Sequence, residues 1–306
     1  MNKNLFFVGV ILAASGLLSP PLALLAGLIY GFTVVHPFHI ESKRLAKFLL
    51  QASVVALGFG MNLHEVIHAG RSGFFYTAGS ITAAMLLGLA LGYVIRVGQK
   101  SSFLISAGTA ICGGSAIAAV GPIADANEEE MAVSLGTVFI LNSIALFLFP
   151  VLGYALHMSQ EQFGLWSALA IHDTSSVVGA AAKYGATALA IATTVKLARA
   201  LWIVPLSFVT AVTLKSKARI QWPWFILLFC MAALLNTLLP SLTGTFGTLN
   251  HLGKVGLTVT LFLIGTGLNK KTLQHVGFRP LVQGASLWII VGGGTLALIL
   301  LHWIHI

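Results

Sequence analysis

The sequence predicts an all-α polytopic membrane protein of about ten or eleven transmembrane helices, with inverted repeats and interrupted helices. Three observations carry that prediction. The 306 residues are 57% hydrophobic and 8% charged, with a mean hydropathy of +0.94, whereas a soluble domain carries roughly 25% charged residues. Apolar stretches long enough to cross the hydrocarbon core, about 20 residues each, follow one another along the whole chain. The chain also matches itself at a distance, as set out below. The stretches fall near 4–18, 21–35, 44–63, 73–95, 102–121, 129–153, 163–182, 186–212, 222–240, 250–268 and 279–303.

Charge orders these spans. A formal net charge of +9 could point to nucleic acid, but the basic residues are scattered in short loops and form no basic domain, so no nucleic-acid partner is expected. The positive-inside rule explains them better. Lys3, Lys43, Arg44, Lys47, Arg96, Lys100, Lys215, Lys217, Arg219, Lys270, Lys271 and Arg279 fall on one side, and only Arg71, Lys183 and Lys254 on the other. This bias places the N-terminus in the cytoplasm and the C-terminus in the periplasm of a bacterial inner membrane, with the lipid bilayer as the surrounding partner. The first span, NLFFVGVILAASGLL, is short enough to pass for a signal-peptide core; we read it as a retained span. The two cysteines, Cys112 and Cys230, lie in apolar segments and read as small buried thiols rather than a disulfide framework.

The self-match aligns residues 45–70 with 252–277 without a gap, and eight of the 26 pairs are identical, among them Gly58/Gly265, Gly60/Gly267 and Asn62/Asn269. The preceding spans agree, since Pro20 and Pro37 have the spacing of Pro223 and Pro240. Chance likeness between apolar helices is the bland alternative, but Gly-x-Gly-x-Asn (GFGMN, GTGLN) is not generic apolar filler. An odd number of spans separates the copies, so the second runs through the membrane in the opposite direction. Secondary transporters often have this build, with the substrate near the midplane beside discontinuous helices. The expectation is a single transporter domain, 1–306, with repeat-related segments 20–95 and 222–303. The pairs Gly58–Gly60 and Gly265–Gly267 should end or bend their spans.

Two polar interruptions mark the candidate site. GTAICGGSA, from Gly108 to Ala116, places Thr109, Cys112, Gly113, Gly114 and Ser115 in the middle of a span. Broken backbone at membrane depth needs surrounding protein or a water-filled cavity, and the half-helix after the break would aim free N–H groups at an anion. Close helix packing through small residues is the alternative. AIHDTSSVVGAA, residues 170–181, similarly interrupts a later span with His172, Asp173 and Ser175. His172 and Asp173 are candidates for proton coupling; equally, Asp173 could be a helix cap or an ion-pair partner of Lys196 or Arg199. Those two cations lie about a dozen residues into the eighth span, too deep for easy snorkelling, and their spacing of three shares one helix face. With one deep carboxylate against them, an anion held by Lys196, Arg199 and the backbone after Gly113–Gly114 would balance the charge. Pro205 should add a free carbonyl at Leu201. The competing arrangement is an Asp173–Arg199 pair with Lys196 in a water-filled vestibule.

The motifs GTAICGGSAIAA, the acidic run that follows it, FLFP at 147–150, AIHD within AIHDTSSVVGAA, VKLAR at 195–199 followed by Pro205, and GTGLN together resemble a family of bacterial inner-membrane proteins named as sulfate exporters. The likeness covers nearly the whole chain. It implies an inverted-repeat carrier for a small anion, sulfate-like or another small oxyanion or organic acid, without a cofactor and with a possible homodimer. One departure is the continuation Thr-Ser-Ser after His172-Asp173, which leaves the roles of Ser175 and Ser176 open.

Other function classes stay in view. An anion channel would share most of these features. HEVIH, residues 64–68, matches the zinc-protease pattern His-Glu-x-x-His, but it reads as part of a short surface loop, its repeat counterpart KKTLQH keeps only the last position, and no third ligand is evident. The expectation is therefore no metal and no enzyme. Asn127 followed by Glu128, Glu129 and Glu130 reads as an N-cap with dipole-matched carboxylates, or as an ion relay. No nucleotide-binding loop is present in the sequence, which argues against ATP-driven transport by this chain alone.

Overall fold

The computed structural model describes residues 2–34, 38–61, 63–214, 224–267, 277–301 and 303–304. Among them the elements are helices and turns, with no strand. In chain order they are α1 (Asn2–Ala14), α2 (Pro20–Thr33), α3 (His39–Gly58), α4 (Leu63–Ile95), α5 (Gln99–Ala110), α6 (Gly114–Val120) and α7 (Glu128–Ala155). There follow α8 (Gln160–Ala170), α9 (Thr174–Tyr184), α10 (Ala186–Ala200), α11 (Ile203–Thr213), α12 (Trp224–Leu238), α13 (Thr243–Gly267) and α14 (Phe278–Leu300). Large apolar side chains face outward along them, including Leu86, Tyr93, Phe208 and Ile289. Exposure on this scale is what lipid permits and water does not, and the protein is an all-α polytopic membrane protein.

Among the described residues, four helical stretches are individually long and apolar enough to cross a membrane, or five if α12 and the following helix count as one span bent by 99° at Leu239. The count is lower than eleven for a physical reason. The spans expected at 102–121 and 163–182 are each divided into half-helices, α5 with α6 and α8 with α9, while α1 and α2 have only 13 and 14 residues. The eighth expected span is read as one piece, Ala186–Thr213, although Leu201 and Trp202 form a turn between α10 and α11.

The chain divides into two compact units, one of Met1–His68 with Trp224–Lys270 and one of Ala69–Pro223 with Lys271–Ile306. In the first, α3 and α13 pack closely, with α2 and α12 beside them. The repeat-matched glycines Gly58 and Gly265 do equivalent work there. A Cβ on Gly58 would lie 2.6 Å from the Phe229 carbonyl oxygen of α12, and one on Gly265 would lie 2.5 Å from the Leu24 carbonyl oxygen of α2. Each copy's second helix thus seats a glycine on the first helix of the other copy, where any side chain would force the backbones apart. As expected, α3 ends at Gly58 and turns through Gly60. Its counterpart α13 is helical through Gly265 to Gly267, its last described residue; residues 268–276, which would show how the span continues, lie outside the described residues. The carbonyls left over at the end of α3 are taken by amides, Asn250 donating to Leu57 and Asn236 to Met61, both at 3.1 Å. The first helix joins this unit through Phe6, Ala13 and the Phe262 ring.

HEVIH does not sit in a surface loop. Residues 63–95 form one helix, and the motif occupies its opening turns.

The second unit holds α5 to α11, α14 and most of α4. Asn127 caps α7 in a full capping box: its side chain accepts from Glu130 N–H at 2.8 Å, and Glu130 accepts from Asn127 N–H at 2.9 Å. Arg96, Glu129, Glu130 and Arg279 line a common cleft of about 300 Å³, so these residues share one end of the unit. Lys100 and Asp125 form an exposed ion pair at 3.3 Å. Lys183 belongs to a different group of turns, where its carbonyl meets the Tyr154 hydroxyl and Tyr184 donates to the Met158 carbonyl at 2.7 Å.

Candidate functional site

The site begins with two helix breaks. At the first, α5 ends at Ala110, and Gly113 adopts φ 66° and ψ −128° before α6 starts at Gly114. An L side chain rarely adopts that backbone. At the second, α8 ends at Ala170, and Ile171 to Asp173 run extended into α9. Asp173 is the N-cap of α9: its carboxylate accepts from Ser175 N–H at 3.0 Å and from the Ser175 hydroxyl. The breaks touch each other. A Cβ on Gly113 would lie 3.0 Å from Asp173 Cα and 3.2 Å from its backbone nitrogen.

Each break frees carbonyls on one side and N–H groups on the other. The carbonyls are taken by the two deep cations of α10, both fully buried. Lys196 Nζ donates to the carbonyls of Ile171 at 2.6 Å and Ala168 at 3.3 Å. Arg199 Nε donates to Ala110 at 2.6 Å and Nη1 to Leu169 at 3.2 Å, so one guanidinium ties the end of α5 to the end of α8. Cations at helix C-termini and a carboxylate at a helix N-terminus all complement the helix dipoles. The N–H groups of His172 and Asp173 are satisfied from α7, where Asn142 Oδ1 accepts both at 3.2 Å.

Of the two arrangements open for Asp173, helix cap or ion-pair partner, the structure has the cap, and one further expectation is not met. Asp173 is not ion-paired with Arg199 or Lys196, because its carboxylate is engaged in capping α9; among the described residues the ion pair is Lys100–Asp125. The Leu201 carbonyl is not free either. Pro205 supplies no N–H, but the turn before α11 lets Val204 N–H reach Leu201 O at 3.1 Å.

Several polar groups at the crossing have no hydrogen-bond partner among the described residues: Thr109 Oγ1, Asn142 Nδ2, both ring nitrogens of His172, Thr193 Oγ1 and Arg199 Nη2. Their residues are buried, at 3% exposure or less. Each such group costs about 1–3 kcal/mol if left bare, so a polar occupant that met them would be stabilised. The His172 ring lies edge-on to Trp288, with centroids 6.5 Å apart.

The crossing therefore gathers Thr109, Gly113, His172, Asp173, Ser175, Lys196 and Arg199. Cys112 is buried beside them with its sulfur against the Ala116 N–H, and Gly114 is buried against the Phe139 ring. Ser115 is exposed and stands apart. Sequence reasoning missed Asn142 and Thr193. The signal for Asn142 was available, since it is a lone amide within the apolar run FILNSIALF.

Known proteins share nearly the whole chain, the crossing included. The profile of the family described as Conserved hypothetical protein 698 matches residues 6–284. A UPF0324 membrane protein of Bacteroides thetaiotaomicron is 48% identical over 290 residues, covering 94% of this chain and 88% of its own. Another, of Geobacter sulfurreducens, is 46% identical over 303 residues, covering 99% and 98%. A third, of Porphyromonas gingivalis, is 51% identical over 291 residues, covering 93% and 88%. No solved structure matches the chain.

Proposed function

The chain belongs to the Conserved hypothetical protein 698 family of membrane proteins, and on that premise we propose that it is a secondary transporter, not an enzyme, moving a small anion across the bacterial inner membrane by alternating access. One observation carries the reading: two interrupted helices cross at their breaks around a fully buried arginine whose Nη2, like groups of Thr109, Asn142 and His172, has no hydrogen-bond partner among the described residues. Discontinuous helices of this kind are how carriers expose polar backbone to a substrate at membrane depth. Arg199 supplies the charge, and the neutral donors supply fit to a multi-oxygen anion. Lys196 supports the site by holding the end of α8. His172 and Asp173 are the groups through which a proton gradient would couple.

The N-terminus is assigned to the cytoplasm and the C-terminus to the periplasm. Supporting this, Arg96 and Arg279, which the charge count places on the same side, line one cleft.

The test is anion uptake by the purified protein in liposomes under an imposed pH or sodium gradient. Saturable uptake that follows the gradient supports the carrier. Gradient-independent flux at channel-like rates would make it an anion channel instead, and flux no greater than in empty liposomes for any anion would overturn the proposal.

A further inference from the structure

Resting on the reading of the crossing as the substrate site, we infer that the substrate is a monovalent oxyanion rather than a divalent one. The inference comes from counting buried charge. Among the described residues, the buried charged side chains are Asp173, Lys196 and Arg199, at 6%, 0% and 0% exposure, and all three belong to the crossing. With His172 and the Cys112 thiol neutral, one carboxylate against two cations leaves one positive charge. Moving a proton from Lys196 to Asp173 leaves that sum unchanged, so the count does not depend on which of the two holds that proton; it describes the site before any coupling proton is taken up. A monoanion brings the buried region to neutrality. A dianion would leave one negative charge uncompensated at membrane depth, the same penalty that an unpaired cation carries there.

The donors agree with this. Lys196 Nζ is engaged by the carbonyls of Ile171 and Ala168, and three of the guanidinium's hydrogen-bonding directions are divided between those used by Ala110 and Leu169 and the unpartnered Nη2. The cationic nitrogen left without a partner among the described residues is Arg199 Nη2, and the neutral groups left likewise are Asn142 Nδ2, Thr109 Oγ1, Thr193 Oγ1 and the ring nitrogens of His172. One free cationic nitrogen among several neutral groups suits an anion that carries a single charge over two or three oxygens, such as nitrate, formate or hydrogencarbonate.

The experiment measures melting temperature of the purified full chain in detergent, at fixed pH and matched ionic strength, with millimolar nitrate or formate against sulfate or thiosulfate. Two variants accompany it. Asp173→Asn keeps the N-cap but raises the buried sum to two positive charges, and Arg199→Gln removes one. Nitrate or formate is expected to stabilise the parent and sulfate not. In Asp173→Asn the preference should shift toward sulfate by about 100-fold in apparent affinity, the factor for one compensated charge. Arg199→Gln should lose the response and provides the baseline for general salt effects; if it does not purify, Asp173→Asn alone decides. A parent stabilised by sulfate as well as by nitrate or formate, or an Asp173→Asn protein with no gain for sulfate, overturns the valence inference and leaves the anion reading standing. A parent that responds to no anion of either valence overturns both.

Discussion

Replacing Gly113 with alanine probes the crossing at its tightest point. The added Cβ meets Asp173 Cα at 3.0 Å, Cβ at 3.1 Å and backbone nitrogen at 3.2 Å. These are mostly backbone atoms, and Asp173 cannot retreat without disturbing its cap on Ser175 and its N–H bond to Asn142. The residue would also hold φ 66°, a conformation that costs a non-glycine residue about 1–3 kcal/mol. Strain and overpacking together should destabilise the protein by roughly 2–4 kcal/mol, lowering the melting temperature by roughly 5–15 °C. Gly114→Ala is the control. Its Cβ would meet the far edge of the Phe139 ring at 2.9 Å, which can swing aside, so its cost should be about 1 kcal/mol. The assay is thermal unfolding of both variants in detergent, followed by transport in liposomes. If Gly113→Ala melts with the parent, or no lower than Gly114→Ala, the two breaks do not meet as described.

Further expectations follow from the same contacts. Asn142→Ala leaves the N–H groups of His172 and Asp173 buried without an acceptor, so it should lose about 2 kcal/mol or more in thermal unfolding, whereas a loss under about 0.5 kcal/mol would show that these bonds are not structural. Lys196→Met frees the carbonyls of Ile171 and Ala168 and should cost about 1–3 kcal/mol, partly recovered by Lys196→Arg; equal stability of the methionine variant would contradict its role at the end of α8. Asp173→Asn should unfold about 1 kcal/mol above Asp173→Ala, since both lose the same buried negative charge but asparagine caps α9 and alanine does not; equal stability of the two variants would show that the cap is not structural. Asp125→Asn removes the exposed pair with Lys100 and should change stability by less than about 0.5 kcal/mol, because asparagine also tolerates the φ of 52° at that position.

The two breaks were legible because their chemistry is local. A glycine pair cannot hold a helix cheaply at Gly113–Gly114, and Asp173 followed by Thr-Ser-Ser offers a side chain that caps its own backbone. The Asn127–Glu130 box was legible for the same reason. What Lys196 and Arg199 touch was not, since their carbonyl partners lie 25 to 89 residues away along the chain. Sequence gives a buried charge but not whether an anion or the ends of two helices will answer it; here the helix ends do so first, and one guanidinium nitrogen is left over. Gly58 and Gly265 read as span ends because glycine weakens helices, but their close packing against a neighbouring backbone carbonyl depends on a helix distant in sequence and was not legible. HEVIH read as loop because its polar residues interrupt the apolar pattern, although nothing in it prevents a helix. Asn142 was overlooked for the opposite reason: a single amide hardly alters the hydropathy of its span.

The most direct measurement of the central claim is counterflow in liposomes, comparing the parent with Arg199→Gln. Vesicles loaded with an excess of unlabelled nitrate or formate are diluted into a trace of the labelled anion, with no other gradient imposed. An alternating carrier whose site contains Arg199 should accumulate label transiently above equilibrium, and the variant should not. Equilibration of the parent without overshoot, or an overshoot preserved in a folded Arg199→Gln protein, would contradict the account.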